Sequence, residues 1–302
     1  MGNNVLMGDH IITAIAADGF ARITACESTS LCEEARRIHG TSAVATAALG
    51  RALTGTALMS SLLKNETDSI TFTIHCQGPL HGITCVSDVH ANVRGYVSNP
   101  SVELPLRASD GKLDVKGAVG KGYIQVIKDL SMKEPYIGTS ELISGEIAAD
   151  LAYYFRLSEQ VPSVVALGVR IMPDPEGKEL FIVEKAGGYL LQLMPGAPDD
   201  LISKIENNVS MLPSVTTLLS AGATMTNIVE DITRGMSLEI KEVHPCGYKC
   251  TCSRERMKTA LCAIGRKDLE EIANDGKGAE LCCHFCNTKY NFSDTEIREL
   301  LK

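Results

Sequence analysis

Cys250-Thr-Cys252-Ser253-Arg254-Glu255-Arg256 and Cys283-His-Phe-Cys286, two tight cysteine pairs with 30 residues between them, decide how the C-terminal part of this chain folds. Four thiolates arranged as a tetrahedron, each about 2.3 Å from the metal, are the usual structural site for zinc. Cys250, Cys252, Cys283 and Cys286 are therefore the expected metal ligands, holding one Zn2+ per chain. Iron–sulfur clusters also take four thiolates, but no ferredoxin-like run of cysteines is present. Cys282 adjoins Cys283, so their side chains diverge, and only Cys283 completes a Cys-x-x-Cys with Cys286. The apolar residues nearby are few: Met257, Leu261 and Ile264, then Phe285, Tyr290 and Phe292, then Leu300 and Leu301. A domain this small needs a staple, and structural zinc can supply about 10–16 kcal/mol of apparent binding free energy. Ser253 is placed to cap one helix that Gly265 closes, and Ser293-Asp-Thr-Glu296 is a capping box for a final one.

The Cys-x-Cys half is less ordinary. Residues two apart reach disulfide distance only in restricted geometry, and strained disulfides tend to be labile and regulatory. Lys249, Arg254 and Arg256 flank the pair and are expected to favour the thiolate that oxidants attack. On these residues alone, a permanent structural knuckle and a redox sensor are both open readings. Cys246, Cys262 and Cys282 lie near the metal set in sequence, and of these Cys246 is the one that could compete as a ligand or thiol-exchange partner. Cys26, Cys32, Cys76 and Cys85 are spaced irregularly and are expected to be small buried hydrophobes.

Working toward the N-terminus, residues 187–240 carry two amphipathic helical patterns after Pro195-Gly196-Ala197-Pro198. One presents Leu201, Ile202, Ile205, Val209 and Leu212; the other presents Val215, Leu218 and Leu219, then Met225, Ile228, Val229 and Ile232. Spacing by three and four gives each an apolar side that must lie on something. The segment reads as a linker, either packed permanently or forming a conditional surface. Residues 1–186 then form the main domain. Helices are expected over 33–39 and 43–64, the second apolar nearly all round and hence deeply buried. Short alternating runs at 70–76, 83–86, 93–97, 113–115 and 123–127 are expected strands, with the Gly-rich stretch 117–122 as a hairpin turn. Ser144 is the expected cap of a helix through Phe155, and residues 164–171 and 180–183 an expected strand pair around the Pro173–Gly177 turn. Strands joined by short turns, with helices grouped apart, favour an α+β fold over a parallel sheet. The expected division is 1–186, 187–240 and 241–302.

Composition limits the function classes. The 302 residues are 44% apolar and 22% charged, enough for a sizeable core, and the net charge of −8 argues against a broad nucleic-acid-binding face. Residues 241–302 hold 11 Lys/Arg against 10 Asp/Glu, a difference of +1, so no basic face is expected there either. The N-terminal decapeptide lacks a signal-peptide pattern, and Leu6 replaces the Ser or Thr of a myristoylation motif. Eleven cysteines without an export signal fit a reducing, cytoplasmic setting. Arg51 and several Thr and Ser residues interrupt the longest apolar stretch, so no membrane span is expected. Residues 117–122 lack the Lys-Ser/Thr ending of a phosphate loop, no Gly-x-Ser-x-Gly elbow exists, and the seven histidines are scattered. No catalytic or organic-cofactor site is expected. A constitutive zinc ribbon and a thiol oxidoreductase are the competing classes. The first would keep its metal under mild oxidant, and the second would turn over a disulfide substrate.

The cysteine-bearing stretches, together with Tyr290-Asn-Phe292, resemble the C-terminal redox domain of the thirty-three-kilodalton heat-shock chaperonins. The similarity extends along the chain through Gly50-Arg51-Ala52-Leu53-Thr54, Val93-Arg94-Gly95-Tyr96-Val97, Gly145-Glu146-Ile147-Ala148, Ser158-Glu159-Gln160-Val161-Pro162-Ser163 and Pro195-Gly196-Ala197. The resemblance implies a redox-activated holdase of the bacterial cytoplasm. In such proteins the reduced form carries zinc on the four cysteines and is inactive. Oxidation pairs neighbours, here Cys250 with Cys252 and Cys283 with Cys286, and releases the metal. The zinc domain and linker then unfold, unfolding client proteins are held without ATP, and the active form is a homodimer. Cys246, Cys262 and Cys282 are additions that create alternative disulfide partners.

Overall fold

The computed structural model describes residues 8–301, so most of the decapeptide read above for targeting patterns (residues 1–7) lies outside the described residues. The chain forms two compact units, Met1–Tyr248 and Lys249–Lys302.

In the larger unit, β1 (His10–Ala16) and β2 (Ala21–Glu27) form a hairpin, followed by α1 (Thr29–His39) and α2 (Ala43–Ser60). Next come β3 (Ser69–Cys76), β4 (Ile83–Asp88), β5 (Asn92–Val97), α3 (Val115–Val119), β6 (Gly122–Asp129) and β7 (Tyr136–Glu141). Then α4 (Ala148–Tyr154) leads through a wide turn to the hairpin β8 (Ser163–Pro173) and β9 (Phe181–Leu193). Three helices, α5 (Asp199–Ser210), α6 (Val215–Ser220) and α7 (Met225–Ile232), precede β10 (Leu238–Pro245) and the short β11 (Gly247–Tyr248). One sheet has the order β10-β1-β2-β9-β8 and the other β11-β5-β4-β3-β6-β7. Neighbouring strands are antiparallel except β11 beside β5, so the fold is α+β.

Helix α2 touches strands of both sheets, and only Ala43 and Arg51 of its 18 residues are not buried. Its all-round apolar sequence has that physical origin: no face is left for water. Arg51 leaves the apolar layer by pairing with Glu146 at 2.8 Å, and Glu146 also takes Arg107 at 2.5 Å. The helix ends at Ser60, short of the expected 64. Tighter turns at Leu62 and Leu63 follow, and the Asp68 carboxylate then captures the Lys64 and Asn65 amides.

Alternation along β1 and β2 gives the first sheet two apolar faces. Ile11 and Cys26 point into the core shared with α1 and α2. Ile12, Ala14, Ile23 and Ala25, with Tyr189 and Leu191 of β9, point the other way onto α5–α7. Leu201, Ile205, Val215, Leu219, Met225, Ile228, Val229 and Ile232 all pack on that second face, as the spacing by three and four required. The second helical pattern is split into α6 and α7 at Gly222, whose φ of +92° ends the first, while Thr224 caps the second by accepting from the Asn227 amide.

Several expectations are corrected. Residues 113–115 are not a strand and 117–122 not a hairpin turn, because Asp114 accepts from the Gly117 amide and starts α3 there. Ser144 does not cap α4. Asp150 reaches back from inside the helix instead and accepts from the Ile143, Ser144 and Ile147 amides at 2.7–2.9 Å. The boundaries expected at 186/187 and 240/241 both fall inside strands, β9 and β10. Gly187 and Gly188, where the second segment was expected to begin, serve close strand approach: a Cβ on Gly188 would sit 2.5 Å from the Ala166 carbonyl oxygen.

The smaller unit holds α8 (Arg254–Ala263), α9 (Arg266–Asp275), the hairpin β12 (Ala279–Cys282) and β13 (Lys289–Phe292), and α10 (Asp294–Leu300). Ser253 caps α8 by accepting from the Arg256 amide, and Ser293 and Glu296 form the expected box before α10. Helix α9 was not anticipated; it starts directly after Gly265, the residue read as the end of α8. Five buried side chains form the core here: Leu261, Leu269, Ala273, Phe292 and Ile297.

Candidate metal centre

Cys250 and Cys252 occupy the extended segment before α8, and Cys283 and Cys286 the turn between β12 and β13. That turn is tight. The Cys283 amide donates to the Thr288 carbonyl at 2.9 Å, and the Asn287 amide donates back to the Cys283 carbonyl at 2.8 Å. Asn287 sits at φ +57°, a conformation that asparagine accepts more readily than most residues.

The fold brings all four sulfurs together, every pair within 4.8 Å. Cys250 Sγ lies 3.7 Å from Cys283 Sγ, and Cys252 Sγ 3.4 Å from Cys286 Sγ. A tetrahedral ion with metal–sulfur bonds of about 2.3 Å places its sulfurs about 3.8 Å apart. The donor set and its spacing therefore fit one soft metal ion. Cys262 and Cys282 are exposed and outside the cluster, and Cys246 belongs to the larger unit.

Burial pushes the Cys250 and Cys283 thiols up, although the Phe285 and Cys286 amides donate toward Cys283. Burial acts upward on Cys286 too. There the hydroxyl and amide of Thr288, with the Cys252 and Cys250 thiols, outweigh it and bring the group down to about 7. The Thr288 hydroxyl is 3.1 Å from Cys286 Sγ, and the Tyr290 hydroxyl 3.1 Å from Cys252 Sγ. The Tyr290 phenol is itself held up to about 12, chiefly by that contact with Cys252.

The two arginines named from sequence act elsewhere. Arg254 donates to the Asn291 carbonyl and to Glu296, and lies 4.5 Å from the centroid of the Phe292 ring. It holds the Glu296 carboxyl down to about 2. Arg256 donates to the Thr251 carbonyl and hydroxyl. The groups that touch sulfur, Thr288 and Tyr290, were missed as such, although Tyr290 stood in the Tyr-Asn-Phe motif. Hydrogen bonds to a charged acceptor are worth about 1.5–3 kcal/mol. With a metal holding Cys252 as the thiolate, Tyr290→Phe removes this donor from the sulfur and is expected to speed peroxide-driven thiol loss about tenfold or more. Timed alkylation of the four cysteines measures this, and an unchanged rate would mean that the phenol only fills space.

A family model described as Hsp33 protein matches residues 9–293. The chain belongs to the Hsp33 family. This Hsp33 chain is 52% identical over 296 residues to a 33 kDa chaperonin of Ruminiclostridium cellulolyticum, covering 98% of this chain and 99% of that one. It is 47% identical to a 33 kDa chaperonin of Acetivibrio thermocellus, covering 98% of each. The crystal structure of a 33 kDa chaperonin, a heat shock protein 33 homolog from Thermotoga maritima, matches with a TM-score of 0.87 at 37% identity and 98% coverage of both chains. The chain is thus a chaperone of the Hsp33 family, and its relatives carry a chaperonin name, not that of an enzyme. No helix among the described residues is long and apolar enough to cross a membrane.

Proposed function

We propose that this Hsp33 chain is a redox-regulated, ATP-independent holdase of the cytoplasm, held off in its reduced form by one zinc ion on Cys250, Cys252, Cys283 and Cys286. The observation that carries the reading is the four-sulfur cluster in a unit with five buried core side chains. Zinc, when bound, supplies the cross-link that so small a core lacks. Each peroxide takes two electrons from a thiolate pair and two protons from solvent and leaves as two waters, while one S–S bond forms between the two sulfurs. The resulting disulfide sulfur is no longer a competent ligand.

The pairing proposed is Cys250 with Cys252 and Cys283 with Cys286. Close sulfur contacts run between the pairs, but the edges of a tetrahedron are alike and select no partner. In an unfolding segment the shortest loops close at least entropic cost, which favours sequence neighbours. Loss of order in residues 249–302 is accompanied by loosening of helices α5–α7 within the 187–240 segment. Helices α5–α7 then release the apolar face formed by Ile12, Ile23 and Leu191, where unfolding clients bind and a second copy associates.

The test is one sample followed before and after peroxide at mild heat for zinc content, free thiols and suppression of client aggregation. Zinc release with formation of the two disulfides and onset of holding is expected. Zinc loss without holding would sink the switch. Zinc retained under oxidant would favour a constitutive zinc ribbon.

A further inference from the structure

Cys246 was read beside the metal cluster, yet its sulfur lies in the larger unit, 3.6 Å from Cys26 Sγ, a residue 220 positions away. Cys26 sits on β2, completely buried, with its side chain in the core beneath α1 and α2. Cys246 follows the last residue of β10, where the chain leaves one sheet for the short β11 in the other. The register explains the meeting. His10 of β1 stands opposite Pro245 on one side and Glu27 on the other, so the ends of β10 and β2 lie on one rung. The Cys246 amide donates to the Asp9 carbonyl, and its sulfur reaches past β1 to the Glu27 carbonyl and Cys26.

We propose that Cys26 and Cys246 form a second thiol–disulfide couple, oxidised by peroxide, that clips the end of β10 to β2. The sulfurs need to approach by about 1.5 Å to bond. Gly247, with no atom within 4 Å of its would-be Cβ, leaves room for the Cys246 backbone to shift. Cys246, the partly exposed residue of the two, is the one an oxidant meets first. Its attack on peroxide gives a sulfenic acid and hydroxide. Cys26 then displaces the sulfenic oxygen, forming S–S and releasing water. Over both steps two thiols and one peroxide become one disulfide and two waters. The hydrogen bond to Cys246, and then burial, push the Cys26 thiol well up, which fits the resolving role rather than the attacking one.

The clip's consequence rests on the switch proposed above. Cys246 lies just before Lys249, where the metal-binding unit begins. Oxidation that unfolds that unit would at the same time fasten β10 to its sheet, so that unfolding stops short of β1.

The experiment oxidises the full zinc-loaded chain with peroxide and maps disulfides by mass spectrometry of proteolytic peptides. Hydrogen exchange of residues 238–245 is followed in the native sequence and in Cys246→Ser. A peptide joining Cys26 to Cys246 is expected, and exchange in β10 at least tenfold faster in the oxidised variant than in the oxidised native chain. Cys32, packed on the Gly50 carbonyl, should stay reduced as an internal control. Cys26→Ala, which removes the other sulfur, should give the same faster exchange. The proposal is overturned if Cys246 remains open to alkylation after the four clustered thiols are consumed. It is equally overturned if Cys246 is linked to a cysteine other than Cys26, or if β10 exchanges alike in both chains. Zinc release and the fate of the four clustered thiols, read from the same samples, report on the switch separately.

Discussion

Cys286→Ser is expected to weaken metal binding sharply and to unfold residues 249–302 even without oxidant. Serine offers no thiolate, and a three-sulfur remnant must take water as its fourth ligand, which no longer ties the segment before α8 to the β12–β13 turn as firmly. The apparent binding free energy at stake is about 10–16 kcal/mol, as large as the roughly 5–15 kcal/mol by which whole domains are stable. Five buried core side chains cannot offset such a loss. The larger unit has its own extensive core and should keep its fold. Metal analysis with amide exchange resolved by segment measures both parts. A variant in which α8–α10 stay protected without metal would mean that the ion is incidental to the fold. Under the proposed switch the same variant holds clients in reducing buffer.

Ile228→Asp is expected to reach that state by another route, with the metal still bound. Ile228 is 1% exposed on α7, against the face formed by Ile12, Ile23 and Leu191. Losing the side chain and burying an unpaired carboxylate cost about 4 kcal/mol or more together. A helix of 8 residues cannot absorb that and should leave the sheet. It loosens α5 as it goes, because Asn208 donates to the carbonyls of Ile232 and Arg234. Binding of an apolar dye and suppression of client aggregation should both rise in reduced, metal-loaded protein. Ile240→Asp, at an already exposed position on β10, should change neither. Dye binding without client holding would place the client site elsewhere.

The features legible in the sequence were those with local causes. The motif spacing marked out the four cysteines that the structure brings together. The all-round apolar α2, the Ser253 cap and the Ser293 box were equally readable, since each depends on residues within one or two turns. Misreadings came where two local meanings compete. Gly187-Gly188 could be a segment boundary or a close approach, and only Ala166 and Cys26 across the sheet decide between them. Asp114 and Asp150 each took over a segment whose pattern alone pointed to a strand or to another cap. Contacts between distant residues left no signal at all. Arg51 and Glu146 stood in two motifs quoted separately, and nothing in either foretold their pairing. The same holds for Cys26 and Cys246, and for the phenol of Tyr290 on Cys252.

The cover over the second face of the first sheet is anchored at both ends in that sheet, by β9 beside β2 and by β10 beside β1. Helices α5–α7 that come off the sheet therefore remain tethered above it as one closed loop. They compete with any bound client at an effective concentration on the order of millimolar, however dilute the protein is. Once the thiols are reduced and the helices favour their seat again, displacement of the client is an intramolecular exchange. Under the proposed switch, reseating of its own helices is then enough for the chain to let go of a client.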